Sequence, residues 1–279
     1  MHDTVVCVAT SERTWQSLWR YCLNAPFIAN RHKFDLAIGF NGDDPEGRRS
    51  LDTLTPEYVL MRPNTGHDLA NFDNIIKHIP AYDRYVFMHD DHWFYDEEWF
   101  ERLEELHLSS PEIGVFGNLV RFDLQGDFRE YHDRFCSIMG YAEVIGKPYP
   151  HFVQGLAGSY TGAVIRKVLD MDGIPHMHRS VQSAAQVFER VFSGLLLNQG
   201  VQFAQIPPGF EMYLVHRDHS FVAIKLQQAA HHIAGGDREA AEEIFVLLHQ
   251  LRPGDPSVQQ RVDAVRAGHD DPASIPSCA

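Results

Sequence analysis

Four titratable residues, His89, Asp90, Asp91 and His92, follow directly on an apolar run at residues 85–88. Side chains two positions apart in extended chain point to the same side, so Asp90 and His92 can face one ligand together. Carboxylate oxygens and imidazole nitrogens both bind divalent cations such as Mn²⁺ and Mg²⁺. The spacing therefore predicts a metal site. The alternative is a solvent-exposed loop in which Asp90 only caps the next turn.

Further candidates lie towards the C-terminus. His216 and His219 share one short segment, and either could complete a metal site begun at Asp90 and His92. The alternative for this pair is an ordinary surface turn. Glu189 lies among apolar residues of a predicted helix, where burial would raise the pKa of its carboxyl and suit it to act as a general base. The alternative for Glu189 is a solvated side chain paired with a neighbouring arginine.

Composition limits the function classes. The chain has 279 residues and a formal net charge of −14, which excludes non-specific binding to nucleic acid or anionic membranes. Its 44% hydrophobic residues are enough for a packed core. The four cysteines are scattered without a CxxC pair, which favours a reducing, cytoplasmic setting. No run approaches the ~18 apolar residues of a membrane helix, so we expect a soluble protein without an integral membrane segment.

Alternating strands and helices must position the candidates in the first part of the chain. Strands are predicted at 5–10, 34–40, 58–61 and 85–88, and helices at 68–79 and 99–108. This alternation predicts an α/β fold with a mostly parallel sheet and helices on both faces. Such sheets bind ligands at the carboxyl ends of their strands. Thr10, residues 41–44 and the cluster at 89–92 should therefore lie along one edge.

The remainder of the chain is more mixed. Strands are predicted at 113–116, 118–122 and 201–206, a long loop with a short helix at 123–149, a glycine-rich segment at 155–163 and a helix at 181–197. From residue 221 the composition changes to Ala, Gln, Glu and Leu, and helices are predicted at 223–233, 238–251 and 257–267. We therefore place a domain boundary at residue 220, between a main domain (1–220) and a helical extension (221–279).

The order of these segments resembles the GT-A fold glycosyltransferases, and most of all the family-2-like enzymes that use nucleotide sugars. Residues 5–10 and 34–44 resemble the first two strands of that fold with their acidic turn. Residues 61–71 resemble its Asn-x-Gly and Ala-x-Asn segment, and residues 85–99 resemble its strand, DxD motif and downstream tryptophan. The resemblance covers about residues 4–220 and implies a GT-A catalytic domain there.

The DxD motif of that family falls on Asp90, Asp91 and His92 when the positions are counted back from Trp99, so this chain reads DxH. The resemblance implies that Asp90 and His92 hold Mn²⁺ or Mg²⁺ on the diphosphate of a nucleotide sugar, with a UDP-sugar as the expected donor. Asp91 would face the sugar or the ribose.

The resemblance also implies which residues bind the rest of the donor. Thr10, Asn41 and Asp43 would lie near the base and the ribose. Asn64 and Asn71 belong to the family's Asn-x-Gly and Ala-x-Asn segment and are expected to contribute to the donor site.

The family places a pair of acids before a helix that ends in glycine. Counting back from Gly200, the catalytic second acid falls on Glu189 and the first falls on Phe188, where this chain departs from the pattern. The resemblance implies an inverting single displacement in which Glu189 deprotonates a hydroxyl or thiol acceptor. His216 matches a histidine that often binds the metal, and His219 is the reserve candidate.

The extension at 221–279 resembles tetratricopeptide repeats. Gly236, Ala241, Phe245 and Pro253 stand at the spacing of that repeat, with Ala229 in the preceding helix. Only one full unit fits, so we expect it to pack on the catalytic domain or on a second subunit, which would give a homodimer. The alternative is a plain helical hairpin. The expected partners are a nucleotide-sugar donor and an acceptor that is a glycan, a small molecule or a peptide.

Two other functions stay open. One is a catalytically inactive GT-A binding module whose helical extension recruits a partner, motivated by Phe188 and by the DxH variant. The other is a metal-dependent phosphoesterase built on the His–Asp cluster, which explains the segment at 64–71 poorly.

Overall fold

The computed structural model describes residues 2–23, 25–94, 97–121, 127–177, 182–206, 213–214, 226, 229–251 and 256–268. The chain divides into two compact units, unit 1 at Met1–Met212 and unit 2 at Tyr213–Ala279. None of the described helices is long and apolar enough to cross a membrane.

Unit 1 is built on one seven-stranded sheet in the order β3-β2-β1-β4-β7-β6-β8. The strands of unit 1 are β1 (Thr4–Ser11), β2 (Asp35–Asn41), β3 (Tyr58–Arg62), β4 (Arg84–His89), the short β5 (His92–Trp93) outside this sheet, β6 (Ile113–Arg121), β7 (His151–Thr161) and β8 (Gln202–Gln205). Within this seven-stranded sheet, the strand pairs are parallel except the two that β7 makes with β4 and β6. The predicted α/β fold with a mostly parallel sheet is confirmed.

Helices cover both faces of this sheet. The α-helices of unit 1 are α1 (Ala25–Asn30), α2 (Pro45–Asp52), α3 (His67–His78), α4 (Trp99–Ser109), α5 (Asp127–Met139), α6 (Gly162–Asp170) and α7 (Gln182–Asn198). Alternate residues of β1 enter two separate cores, Val5 and Cys7 on the face of α3 and α7, and Val6 and Val8 on the face of α4. A strand buried on both faces must be apolar throughout, which is why β1 reads as a continuous apolar run.

Several predicted elements differ from the observed ones. Between β1 and β2 the chain forms a π-helical turn at Leu18–Cys22, followed by α1, where no helix bounds were predicted. The strands predicted at 113–116 and 118–122 form one strand, β6, whose register against β7 shifts between Gly117 and Leu119. The region predicted as a loop with a short helix contains α5, which has 13 residues.

The glycine-rich segment lies mostly within a strand. Residues 151–161 form β7, and helix α6 follows directly. Gly158 allows β7 to lie close to β6, because a Cβ atom at this position would lie only 2.4 Å from the Phe116 carbonyl oxygen. Glycine therefore lets the antiparallel β7 fit beside β6 within an otherwise parallel sheet.

Unit 2 contains a short strand β9 (Tyr213–Leu214) and three helical segments: α8 (229–234), α9 (Arg238–Leu251) and α10 (Pro256–Arg266). Its core includes Ala229, Ala241, Phe245 and Val262. The Arg266 guanidinium reaches back from α10 to the carboxylate of Glu242 on α9 and lies 4.8 Å from the centre of the Phe245 ring. These contacts link α10 to α9.

Candidate functional site

The carboxyl ends of β1 and β4 form a topological switch point. From β1 the chain runs outward to β2 and β3 and then returns to the other side of β1 as β4. The crossovers diverge at this point, and open α/β sheets bind ligands in the crevice beside such a point. Thr10 and Asp90 meet there: the Thr10 hydroxyl donates a 2.6 Å hydrogen bond to Asp90 Oδ2, and both residues are buried.

Asp90 is a buried carboxylate. Its burial raises the pKa to about 6, against the opposing effect of hydrogen bonds from Thr10 and Thr14. The carboxylate is still mostly ionised at neutral pH and is only 7% exposed. A buried negative charge in a ligand crevice is stabilised by a bound cation, because desolvation disfavours the ionised carboxylate on its own.

His89, at the end of β4, carries a positive charge. Its Nδ1 lies 3.0 Å from Asp68 Oδ2, and its Nε2 lies 2.6 Å from the Gly155 carbonyl oxygen. Both partners are acceptors, so both ring nitrogens must donate. Burial alone would lower the pKa of His89, but Asp68 and the two hydrogen bonds outweigh it and the pKa is raised. His89 therefore connects the first turn of α3 to a bend in β7.

His92 is fully buried and neutral. Burial, and then the charge of His89, lower the pKa of His92, and the two rings stack with centres 5.2 Å apart. His92 Nδ1 lies 2.8 Å from the His89 amide nitrogen and 3.3 Å from its carbonyl oxygen, so either tautomer has a partner. Its Nε2 is buried and lacks a hydrogen-bond partner within the described part of the chain.

Asp90 and His92 are side chains of the kinds that bind a divalent cation shared with a phosphate ligand. The described residues contain no group of three His, Cys, Asp or Glu side chains arranged to hold a metal. Mg²⁺ is commonly bound through one or two protein ligands plus substrate phosphates and water, however, and Mn²⁺ accepts similar ligands. Asp90 supplies a buried carboxylate, and the neutral His92 offers a nitrogen that needs a partner.

The ends of β2 and β3 form a second, polar part of the same edge. Asn41 donates through Nδ2 to the His67 carbonyl at 2.9 Å and accepts at Oδ1 from Arg62 at 3.0 Å. The Arg62 guanidinium also donates to the Thr65 carbonyl. This network holds the loop between β3 and α3 against β2 and presents Asn64 at the surface.

Glu12, just beyond β1, joins these loops. Its carboxylate accepts from Asn64 Nδ2 at 3.2 Å and from the Asp43 amide at 3.4 Å. Asp43 and Asn64 are both exposed. The structure therefore brings the predicted residues Asn41, Asp43 and Asn64 together around Glu12.

Asn71 lies behind the edge and is fully buried. Its side-chain amide donates to the Thr10 carbonyl at 2.9 Å. The amide of Asn71 thus positions the residue whose hydroxyl binds Asp90. Asn71, on α3, therefore contacts Thr10 and is linked to Asp90 through that residue.

Glu189 lies on α7 and is 8% exposed. It is close enough to raise the pKa of Tyr160, although burial is the larger cause of that shift. The neighbouring Phe188 belongs to the core and packs on Phe135 with ring centres 4.4 Å apart. The buried Glu189 matches the expected acid amid apolar neighbours, and Phe188 has a packing role where the family pattern has an acid.

Comparisons with known proteins give likenesses of structure only. No protein-family model matches the chain, and no curated protein sequence does. A mannosyltransferase from Pyrobaculum calidifontis, solved with GDP-Man and Mn²⁺, is 13% identical with a TM-score of 0.44, covering 95% of this chain and 74% of that one. Residues 1–349 of TarS from S. aureus with UDP-GlcNAc are 10% identical with a TM-score of 0.42, covering 98% and 89%.

A third solved structure is CMP:2-keto-3-deoxy-manno-octonic acid synthetase complexed with CTP. It is 10% identical with a TM-score of 0.37, covering 73% of this chain and 89% of that one. Because all these scores are below 0.5, the proposals that follow rest on the residues of this chain.

Two predicted metal ligands lie outside the described part of the chain, and two residues of the site were not predicted from the sequence. His216 and His219 lie outside the described residues, so the third metal ligand stays a prediction. Sequence reasoning missed Asp68 and Glu12. Glu12 follows the end of β1 directly, which is a signal for an edge residue. Asp68 meets His89 only through the tertiary fold.

Proposed function

We propose that the protein is a glycosyltransferase that uses a nucleotide sugar. The observation that carries this proposal is the Thr10–Asp90 hydrogen bond at the switch point between β1 and β4. It fixes an ionised carboxylate where an α/β sheet binds its ligand, beside a polar edge formed by Asn41 and Asn64. A diphosphate at Asp90 and a nucleoside along that edge would use both parts of the crevice.

Asp90 and His92 are the residues that would hold a divalent cation, with His216 as the third protein ligand. Mn²⁺ or Mg²⁺, when bound, neutralises the charge of a leaving nucleoside diphosphate. Thr10 orients the Asp90 carboxylate, and His92 is kept neutral by burial, the form in which imidazole binds metals. Asp91, which is also buried, is proposed to face the sugar or the ribose.

Calorimetry with UDP and with GDP, each with and without Mn²⁺, tests this proposal. We expect binding that requires Mn²⁺ and is lost in Asp90→Asn, because the amide lacks the charge that holds the cation. Asp52→Asn is the matched control, since Asp52 is exposed on α2. If neither nucleotide binds in the presence of the metal, the proposed function is wrong.

We further propose that Glu189 is the general base of an inverting displacement on a hydroxyl or thiol acceptor. Its support is its burial on α7, next to the core residue Phe188. Glu189→Gln should bind the donor as the wild type does and lose transfer of the sugar. Glu130→Gln, at an exposed position of α5, is the control and should keep full activity. Transfer close to wild type in Glu189→Gln would remove Glu189 from this role.

We also propose that the C-terminal extension is a tetratricopeptide-like unit. It would bind a peptide, a protein or a second copy of the chain. Ala229, Ala241 and Phe245, three positions of the repeat pattern, are all buried within unit 2. That burial is what the repeat pattern requires of these positions. A peptide acceptor, a homodimer and a cytoplasmic location are parts of the same proposal.

A catalytically inactive binding module is the second candidate. The observation that favours it is Phe188, which packs on Phe135 where the family pattern has an acid. This candidate predicts nucleotide binding with no release of nucleoside diphosphate from any nucleotide sugar. Slow hydrolysis of a donor in the presence of Mn²⁺ would exclude it.

A further inference from the structure

Glu12 occupies a fixed position on the polar edge of the sheet. Its backbone amide donates to the Asn41 carbonyl at 2.9 Å, which continues the pairing of β1 with β2 beyond the last residue of β1. Its side chain turns into the space between the β2 and β3 loops. There Oε1 accepts from Asn64 Nδ2 at 3.2 Å and Oε2 accepts from the Asp43 amide at 3.4 Å.

Gly42 makes room for this carboxylate. The φ angle of Gly42 is +125°, and a Cβ atom built on it would lie 2.4 Å from Glu12 Oε2. Any other residue at position 42 would be strained and would displace the Glu12 side chain. The glycine and the two hydrogen bonds together hold Glu12 in this place.

The Glu12–Asn64 pair keeps hydrogen-bonding capacity for a ligand. A carboxylate has about four acceptor positions, and two of those of Glu12 are used. The Asn64 amide has two hydrogens, and one of them serves Glu12. The pair therefore presents an acceptor next to a donor, at an exposed edge two residues beyond Thr10.

We infer that Glu12 and Asn64 recognise the base of the bound nucleotide, which rests on the proposed function. Glu12 accepts from a ring N–H, and Asn64 donates to the carbonyl beside that N–H. Uracil carries this pattern at N3–H and C4=O, and guanine carries it at N1–H and C6=O. Cytosine and adenine have an unprotonated ring nitrogen at the matching position, which a carboxylate repels. The edge thus selects bases with a ring N–H beside a carbonyl.

Binding of four nucleoside diphosphates in the presence of Mn²⁺ tests this inference. We expect UDP and GDP to bind the wild type about tenfold or more tightly than CDP and ADP, since one mismatched hydrogen bond in a built site costs at least that factor. The comparison of UDP with GDP shows which of the two bases the edge prefers. Equal affinity for all four, or a preference for CDP or ADP, would overturn the inference.

Variants distinguish recognition by Glu12 from a general effect on binding. Glu12→Gln and Asn64→Ala should weaken UDP and GDP several-fold and leave CDP and ADP almost unchanged, so that the selectivity falls in both. Glu46→Gln, at an exposed position of α2, should keep the selectivity of the wild type. Unchanged selectivity in both edge variants would contradict the inference while leaving the proposed function intact. Failure of all four nucleotides to bind the wild type would contradict the proposed function itself.

Discussion

Replacement of Thr10 by valine tests the contact that positions Asp90. Valine keeps the shape of threonine and removes the hydroxyl, which donates a 2.6 Å hydrogen bond to Asp90 Oδ2 in a buried setting. A hydrogen bond to a charged group contributes about 1.5–3 kcal/mol, so Thr10→Val should lower the free energy of unfolding by that amount at pH 8. The pKa of Asp90, already raised by burial to about 6, should rise further.

Urea denaturation at pH 8 and pH 5 measures this effect. At pH 5 the Asp90 carboxyl is mostly protonated in the folded wild type, so the lost bond is a neutral one and the difference should shrink to about 1 kcal/mol. Thr10→Ser is the matched control, because it keeps the hydroxyl and loses only a methyl group. A loss in Thr10→Val that equals the loss in Thr10→Ser, or that is the same at both pH values, would refute the reasoning.

Two further changes probe buried positions of unit 1. Burial and then the charge of Arg84 lower the pKa of His107 to about 4, so the protein keeps the ring neutral while the unfolded chain takes up a proton near pH 6.5. The free energy of unfolding should therefore fall as the pH drops from 6.5 towards 4, by up to about 2 kcal/mol after allowing for solvent near the ring. In His107→Gln, denaturation curves measured over the same pH range should show a smaller fall. Gly155→Ala should cost about 1–3 kcal/mol in the same assay, because its φ is +59° and the new Cβ would lie 2.9 Å from His89 Nε2. Gly200→Ala, with a φ of +75° and nothing within 4 Å of its Cβ, should cost less, and equal costs would contradict the contact with His89.

The periodic elements of this fold are visible in the sequence. β1, β2, β4 and α3 agree with their predicted bounds within a few residues, because buried strands and an amphipathic helix leave period-specific patterns. The position of Thr10 and Asp90 along one edge also followed from the rule for parallel sheets. These inferences depend on local sequence and on one topological rule.

The rest of the site depends on contacts between distant parts of the chain. Gly155 lies in β7, where its positive φ brings its carbonyl to His89, and the glycine-rich sequence alone does not indicate this contact. The charge of His89 follows from that contact and from Asp68, which is 21 positions away in sequence. No local pattern encodes such a pairing. The same holds for Asn71, which contacts Thr10 from the side of α3.

A crystal structure with a UDP- or GDP-sugar and Mn²⁺ would show where the donor and the metal bind. We expect an anomalous manganese signal within about 2.0–2.3 Å of an Asp90 oxygen and the His92 nitrogen, with the diphosphate on the metal and the base towards Glu12 and Asn64. Donor density away from the carboxyl ends of β1 and β4, or manganese bound without Asp90, would contradict it.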